Sequence, residues 1–113
     1  MAAEIYDYKF APRADFDLED TLQYMKDKLL NLKAAKDFTT ELFDKIDLYR
    51  EFPESGQRVL NQYVTNKDLR KFFVGNYCVF YLPIKKSKLL VIVRILYSGR
   101  NINEILKTDS MKY

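Results

Sequence analysis

Apolar residues change their spacing along the chain, and the change predicts helices first and strands later. Over residues 13–30 apolar side chains recur at intervals of four, three and four, and residues 33–50 continue with a helical period. Residues 77–82 and 89–97 are instead continuous apolar runs rich in Val, Ile, Tyr and Phe, the composition of strands. A buried helix is the alternative for these runs, but the β-branched residues and the flanking Gly and Pro favour strands.

Turn-forming residues delimit the remaining elements. Residues 5–10 alternate between two faces and predict an opening strand. Residues 69–74 predict a further strand, which ends at Gly75-Asn76, a pair that tolerates the positive φ of a tight turn. Residues 57–67 fit either a short extended piece or a loop.

The chain is expected to leave the sheet after residue 97. Ser98-Gly99-Arg100 forms a turn, and Asn101 or Asn103 is placed to cap a last short helix. Residues 108–113 are expected to be a frayed tail.

This order of elements predicts one α+β domain: an N-terminal strand, an antiparallel helical hairpin, a 3–5-stranded, mainly antiparallel sheet and a short C-terminal helix. The short link between the two long helices requires the hairpin, whose apolar faces pack on the sheet. Residues 89–97 are expected to be central, because so continuous an apolar run implies cover on both faces. Part of the other sheet face, or the helix flanks, is expected to await a partner chain.

Charge is distributed unevenly along the 113 residues. Residues 1–56 carry 8 Lys and Arg against 13 Asp and Glu, whereas residues 57–113 carry 11 against 3. The strand-rich half therefore has a net charge of +8 (11 minus 3), which is typical of a surface that binds nucleic acid or an acidic protein. An ordinary solvated surface is the alternative.

The residue types present exclude several kinds of site. The chain has no His and a single Cys, Cys78, so it lacks the usual zinc and iron ligands, and neither a metal nor another cofactor is expected. No apolar run approaches the ~20 residues that span a bilayer, and the N-terminus lacks the apolar segment of a signal peptide, so a cytoplasmic protein without membrane contact is expected. Cys78 alternates with Phe80 and Leu82 and is expected to be a small buried side chain.

Several short motifs follow one another between residue 5 and about residue 106. They are Ala11-Pro12-Arg13-Ala14 with Asp17-Leu18, Ala34-Ala35 through Phe38, Phe52-Pro53-Glu54-Ser55-Gly56, Leu69-Arg70, Val74-Gly75-Asn76-Tyr77 with Phe80-Tyr81, and Arg94-Ile95-Leu96-Tyr97-Ser98-Gly99-Arg100. In this order and spacing they resemble the RelE/ParE superfamily, which contains toxins of type II toxin–antitoxin and plasmid-stabilisation systems.

The resemblance implies a toxin that arrests growth, is neutralised by a cognate antitoxin and meets operator DNA only through that antitoxin. RelE-like members cut messenger RNA at the ribosomal A site, whereas ParE-like members poison DNA gyrase by binding. The long helical hairpin and the Phe52-Pro53-Glu54-Ser55-Gly56 loop are more similar to the ParE branch. A ParE-like toxin is therefore the preferred function, with a RelE-like nuclease and a non-toxic nucleic-acid-binding module as alternatives.

Departures from the RelE-like pattern count against the nuclease. The nucleases carry an arginine directly after the tyrosine that corresponds to Tyr77, where this chain has Cys78. Arg100 matches the basic residue after the late glycine, but Asn101 stands where the nucleases have another arginine, and Lys107 where some have a tyrosine. If the chain is an enzyme, a ribosome-dependent mRNA interferase, the residues left for phosphate and proton chemistry are Arg70, Lys71, Arg100 and Lys107.

A second set of residues is predicted to contact the target or the antitoxin. Arg94 interrupts an apolar run and is expected to share a strand face with Leu90, Ile92 and Leu96; a framework ion pair is the alternative role. Tyr77 and Tyr81 are expected to share a face, where packing is the alternative to stacking on bases. The full set is Arg70, Lys71, Tyr77, Tyr81, Arg94 and Arg100.

Overall fold

The computed structural model describes residues 4–109 and residue 111, which fold in the predicted order of elements. These elements are β1 (Asp7–Phe10), α1 (Pro12–Asp27), α2 (Leu32–Glu51), β2 (Gln57–Arg58), β3 (Arg70–Val74), β4 (Tyr77–Ile84), β5 (Leu89–Tyr97) and α3 (Ile102–Thr108). The strands form one sheet in the order β1-β5-β4-β3-β2. Neighbouring strands are antiparallel except β1, which pairs parallel with β5. The α+β class is confirmed, and β5 is an interior strand.

Local signals in the sequence account for the starts of the three helices. Pro12 lies in the first turn of α1. Backbone N–H groups in the first turn have no hydrogen-bond partner within the helix, so the N–H that proline lacks is not needed there. Asn31 caps α2, since its side-chain oxygen accepts a hydrogen bond of 2.9 Å from the N–H of Ala34. The side-chain oxygen of Asn101 accepts a hydrogen bond from the N–H of Glu104 in α3. Asn101, rather than Asn103, is therefore the cap of this helix. No helix in the described part of the chain is long and apolar enough to cross a bilayer.

The helical hairpin covers one face of the sheet and forms the helix-side core. α1 and α2 bury apolar side chains from their inner faces against side chains of β3, β4 and β5. The helices contribute Ala14, Met25, Ala35, Phe38, Leu42 and Ile46, and the sheet contributes Phe72, Val74, Val79, Tyr81, Leu90, Ile92 and Ile95.

The opposite face of the sheet is also covered, by residues 59–69, α3 and Met111, which form the far-side core. Val59, Leu69, Leu106 and Met111 pack there against Cys78, Phe80, Leu82, Val91, Val93 and Leu96. Cover on both faces is therefore confirmed for β5. The expected frayed tail is wrong for Thr108, Asp109 and Met111, because Thr108 ends α3, Asp109 is ion-paired and Met111 is 2% exposed. Residues 110, 112 and 113 lie outside the described residues.

An additional residue near the middle of β5 changes which side chains share a face. Phe80 pairs with Arg94, whereas the next residue of β4, Tyr81, pairs with Ile92, which leaves Val93 without a partner of its own. Ile95 therefore lies in the helix-side core and Leu96 in the far-side core. The prediction that Arg94 and Leu96 share a face with Leu90 and Ile92 is wrong, because it assumed strict alternation.

β4 is longer than predicted and continues through Pro83 to Ile84. The strand β3 begins at Arg70, which pairs with Tyr81, so β4 has only β5 beside it from Leu82 onward. A proline is tolerated at such a position because one side of the strand needs no hydrogen-bond donor.

Candidate interaction site

A cleft of about 1060 Å³ opens between the helical hairpin and one end of the sheet. α1 and α2 form one wall, and the β3–β4 turn together with the end of β5 forms the other. We call it the helix–sheet cleft. Its lining includes Asp20, Tyr24, Asp27, Phe38, Glu41, Gly75, Tyr77, Tyr97 and Arg100.

The β3–β4 turn is held against α2, which fixes the shape of the cleft. Gly75 has a φ of 56°, a left-handed conformation that favours glycine and suits a two-residue hairpin turn. Its N–H donates to the Glu41 carboxylate at 3.2 Å, and the Lys45 ammonium donates to the carbonyl of Phe73. Tyr77, the first residue of β4, directly follows this turn and pairs with Tyr97 of β5.

Tyr77 forms the aromatic floor of the cleft. Its ring makes edge contacts with Phe38, at a centroid distance of 5.2 Å, and with Tyr97, at 5.6 Å. Burial raises the pKa of the Tyr77 hydroxyl, and the nearby Tyr24, Tyr97 and Asp20 add to the increase. The phenol is therefore neutral at physiological pH, a form that can donate or accept a hydrogen bond but is a poor base.

Arg100 lies at the rim of the same cleft, after the turn that follows β5. Its side chain is exposed and has no carboxylate within 4.0 Å in the described part of the chain. The structure thus brings together two of the residues predicted from the sequence, Tyr77 and Arg100.

Arg94, in contrast, is an internal residue. Only 5% of it is exposed, and its Nε and Nη2 donate to the two carboxylate oxygens of Asp17 at 2.7 and 3.2 Å, while Nη1 donates to Asp109. The Asp17 carboxylate also accepts the N–H of Ile95 at 2.9 Å, beyond the end of β1 where this edge of β5 has no neighbouring strand. Arg94 is therefore part of an internal ion pair, which was the alternative role, and its side chain is not available on the surface for a partner.

Tyr81 is likewise internal, with no exposed surface. Its hydroxyl donates to the carbonyl of Pro53 at 2.9 Å and accepts the N–H of Gly56 at 3.0 Å. Burial raises the pKa of this hydroxyl to about 12. Arg70 closes the same cluster, since its Nη1 donates to the Gly56 carbonyl at 2.9 Å. Tyr81 therefore has the packing role that was the alternative to stacking on bases. The side chains of Tyr81 and Arg70 together hold the loop after α2 against the sheet.

The four residues considered for nuclease chemistry do not converge. Arg70 pairs with Tyr81 and Lys71 with Phe80, so they lie on opposite faces of β3. Lys107 is on α3, where it pairs with Glu104 at 3.0 Å. Arg100 is at the helix–sheet cleft, at the other end of β4 from Arg70.

Cys78 has the inert environment expected from its alternation with apolar residues. It is 4% exposed in the far-side core, and burial raises the pKa of its thiol to about 11. We expect alkylation of native Cys78 by iodoacetamide at pH 8 to be at least about 100-fold slower than in the urea-unfolded chain, because little thiolate is present and the sulfur is covered. Mass spectrometry of timed samples measures both rates, and equal rates would contradict the burial.

The acidic and aromatic wall of the cleft was not predicted from the sequence. Asp20, Tyr24 and Asp27 are four and three residues apart on α1, so they lie along one helix face, and this spacing was the available signal. Two of the lysines in the β4–β5 turn are paired with carboxylates. Lys85 pairs with Glu54 at 2.6 Å, and Lys88 pairs with Glu4 at 3.2 Å.

No group of three or more Cys, Asp or Glu side chains within residues 4–109 and 111 is arranged to hold a metal ion.

Solved structures of three toxins have a similar fold. The toxin–antitoxin complex RelBE2 from Mycobacterium tuberculosis matches with a TM-score of 0.56 and 15% identity, over 82% of this chain and 98% of that one. The chromosomal ParDE system from P. aeruginosa matches with a TM-score of 0.64 and 13% identity, over 84% and 98%. A mutant of E. coli toxin RelE in the free state matches with a TM-score of 0.60 and 14% identity, over 92% and 95%.

These identities are low enough that the three structures establish the fold alone. No curated protein sequence gives a significant match. The family model of the ParE toxin of type II toxin–antitoxin systems, parDE, matches residues 8–102. This range includes every element from α1 to β5. The chain therefore belongs to the ParE toxin family of type II toxin–antitoxin systems.

Proposed function

We propose that this chain is a growth-arresting toxin that acts by binding DNA gyrase and is neutralised by a cognate antitoxin. The observation that carries the proposal is the match of residues 8–102 to the ParE toxin family. A toxin of this kind needs a contact surface but no assembled catalytic groups. The helix–sheet cleft offers such a surface, with Tyr77 at its floor and Arg100 at its rim.

The arrangement of basic residues argues against RNA cleavage. Attack by a ribose 2′-hydroxyl requires a base, an acid and positive charge around one phosphate. Here Arg70 and Lys71 point to opposite faces of β3, and Lys107 is on α3. At the position of the nuclease arginine, Cys78 is buried and neutral, so it supplies neither a charge nor a proton donor on the surface.

A cognate antitoxin is the second partner in this proposal. Two of the similar structures are a toxin–antitoxin complex and a ParDE system, and the family itself is defined by toxin–antitoxin pairs. In this proposal operator DNA is contacted through the antitoxin.

Two assays separate gyrase poisoning from RNA cleavage. The purified chain is added to DNA gyrase with relaxed plasmid, and in parallel to a translation extract programmed with a defined messenger RNA. We expect loss of supercoiling and accumulation of cleaved DNA in the first assay, with intact RNA in the second. Cuts in the RNA at the ribosomal A site, with unaffected gyrase, would instead establish the RelE-like nuclease.

Replacing Arg100 by Ala is expected to weaken toxicity and gyrase inhibition at least about tenfold, because an exposed, unpaired guanidinium at a cleft rim is suited to anchor a partner. Growth after induction at matched expression, and the concentration that halves supercoiling, measure the effect. Lys86→Ala is the matched control, since it removes an exposed positive charge at the β4–β5 turn, away from the cleft. Both variants should keep the unfolding midpoint of the parent chain. Equal killing by Arg100→Ala and the parent would remove Arg100 from the contact surface.

A further inference from the structure

We propose that the helix–sheet cleft binds an arginine side chain presented by a partner polypeptide. This inference deepens the proposed function, on which it rests, by stating what the partner presents at the cleft. It is carried by two features of the walls, the exposed tyrosine rings and the carboxylates without partners.

The tyrosines of the cleft leave both their rings and their hydroxyls available. Tyr24 is 49% exposed and Tyr97 is 47% exposed, although large aromatic side chains are usually more deeply buried. Tyr77 is half-buried between them on Phe38. Among the described residues, the hydroxyls of Tyr24, Tyr77 and Tyr97 have no hydrogen-bond partner. The cleft therefore offers electron-rich ring faces and three hydroxyls that can accept hydrogen bonds, which suits a cation.

Two carboxylates on the α1 wall are also uncompensated. Asp20 and Asp27 have no Lys or Arg nitrogen within 4.0 Å in the described part of the chain. They flank Tyr24 on one face of α1, and Asp20 is close enough to Tyr77 to affect its titration.

The other acidic residues of the cleft are already engaged. Asp17 is paired with Arg94 and Asp37 with Lys33, the latter at 2.7 Å. The Glu41 carboxylate accepts the Gly75 N–H and lies 3.5 Å from Lys45. Each of these groups already has a partner within the chain, so Asp20 and Asp27 remain for a ligand.

The two positive charges that line the cleft lie at the edges of this wall or opposite it. Arg100 is on the sheet side, and Lys28 follows the last turn of α1. A carboxylate or phosphate of a ligand would be attracted to Arg100 but repelled by the middle of the α1 wall, which is the side with the exposed rings. A cation is the ligand that both the rings and the carboxylates favour.

Guanidinium suits these walls better than ammonium. It is planar, so it can stack on a tyrosine ring while its N–H groups bond a carboxylate in its own plane. It is also less strongly hydrated than ammonium and is more easily transferred into a partly enclosed cleft. The cleft favours a positively charged ligand, whereas the basic half of the chain favours an acidic one. The expected partner therefore carries arginine at this contact and acidic residues elsewhere.

The test titrates the ¹⁵N-labelled full chain with N-acetyl-arginine methylamide and follows the backbone amide resonances. The neutral isostere N-acetyl-citrulline methylamide and the lysine analogue are titrated in parallel. We expect saturable shifts confined to Tyr24, Gly75, Asn76, Tyr77 and Tyr97, with a Kd on the order of millimolar, as for a single side chain. The citrulline compound should bind at least about tenfold more weakly.

Variants locate the site. Asp20→Asn is expected to weaken arginine binding about fivefold, whereas Asp44→Asn, the same change on the exposed surface of α2 outside the cleft, should leave the affinity unchanged. Tyr24→Leu, which keeps an apolar side chain of helical preference, should weaken binding similarly. Retained amide dispersion shows that each variant is folded.

Several outcomes would overturn the inference: no saturable shifts, equal binding of citrulline or lysine, or equal losses in Asp20→Asn and Asp44→Asn. The result is separable from the proposed function. If the chain poisons gyrase but does not bind arginine, the proposed function stands and the inference about the cleft is contradicted. A chain that binds arginine as expected without affecting gyrase supports the cleft chemistry and contradicts the gyrase target.

Discussion

Replacing Asp17 by Asn is expected to lower the free energy of unfolding by about 3 kcal/mol, the lower end for breaking a buried ion pair, because Asp109 still neutralises part of the Arg94 charge. Asp17 is 8% exposed, holds two guanidinium nitrogens of Arg94 and accepts the Ile95 N–H. The substitution leaves a charged Arg94 in the core with an amide opposite it. Urea unfolding followed by far-UV circular dichroism measures the change.

Glu19→Gln is the matched control for Asp17→Asn. Glu19 lies on the exposed surface of the same helix and has no ion pair within the described residues, so the same kind of change should alter stability by less than about 0.5 kcal/mol. Asp109→Asn should have an intermediate effect, since the Asp109 side chain is 23% exposed. Equal losses for Asp17→Asn and Glu19→Gln would show that the buried pair does not stabilise the fold.

Replacing Tyr81 by Phe is expected to cost about 2–3 kcal/mol, because the buried Gly56 N–H and the Pro53 carbonyl each lose their partner. The ring itself is retained, so the packing of Tyr81 against Phe72 is preserved. Tyr49→Phe is the matched control: its ring packs in the same cluster, but its hydroxyl makes no hydrogen bond within the described part of the chain. The same urea titration compares the two variants.

A second variant tests whether the Tyr81 hydroxyl is what restricts the loop. A Cβ at Gly56 would lie 2.2 Å from the Tyr81 oxygen, so Gly56→Ala should also destabilise the chain. The double variant should lose less than the two single losses combined, since Tyr81→Phe removes the closest clash. Strictly additive losses, or equal losses for Tyr81→Phe and Tyr49→Phe, would contradict this account of the loop.

Much of the fold could be predicted from the sequence because each element carries its own local signal. The helical period of residues 13–30 and 33–50, the apolar run of residues 89–97 and the Gly75-Asn76 turn all depend on near neighbours. The parallel pairing of β1 with β5 carries no such signal, since Asp7 and Leu89 are 82 residues apart. The additional residue at Val93 was not apparent either, because an alternating pattern does not reveal where a strand gains a residue.

The candidate site could be predicted only in part, for a related reason. Arg100 follows a turn and Tyr77 opens a strand, so both are near an end of the sheet. Whether Arg94 is exposed depends on Asp17, 77 positions earlier, and the sequence shows no link between them. Tyr24 faces Tyr77 only because the hairpin packs at one particular angle on the sheet, which its amphipathic pattern does not specify.

The pairing of the first strand with the last has a consequence during protein synthesis. A ribosome adds about 5–20 residues per second, so roughly 4–16 s separate the synthesis of Asp7 from that of Leu89. Until then neither face of the sheet can close, since β5 contributes to both the helix-side and far-side cores. A nascent chain that ends before β5 consequently lacks both completed cores and the part of the helix–sheet cleft that the end of β5 contributes.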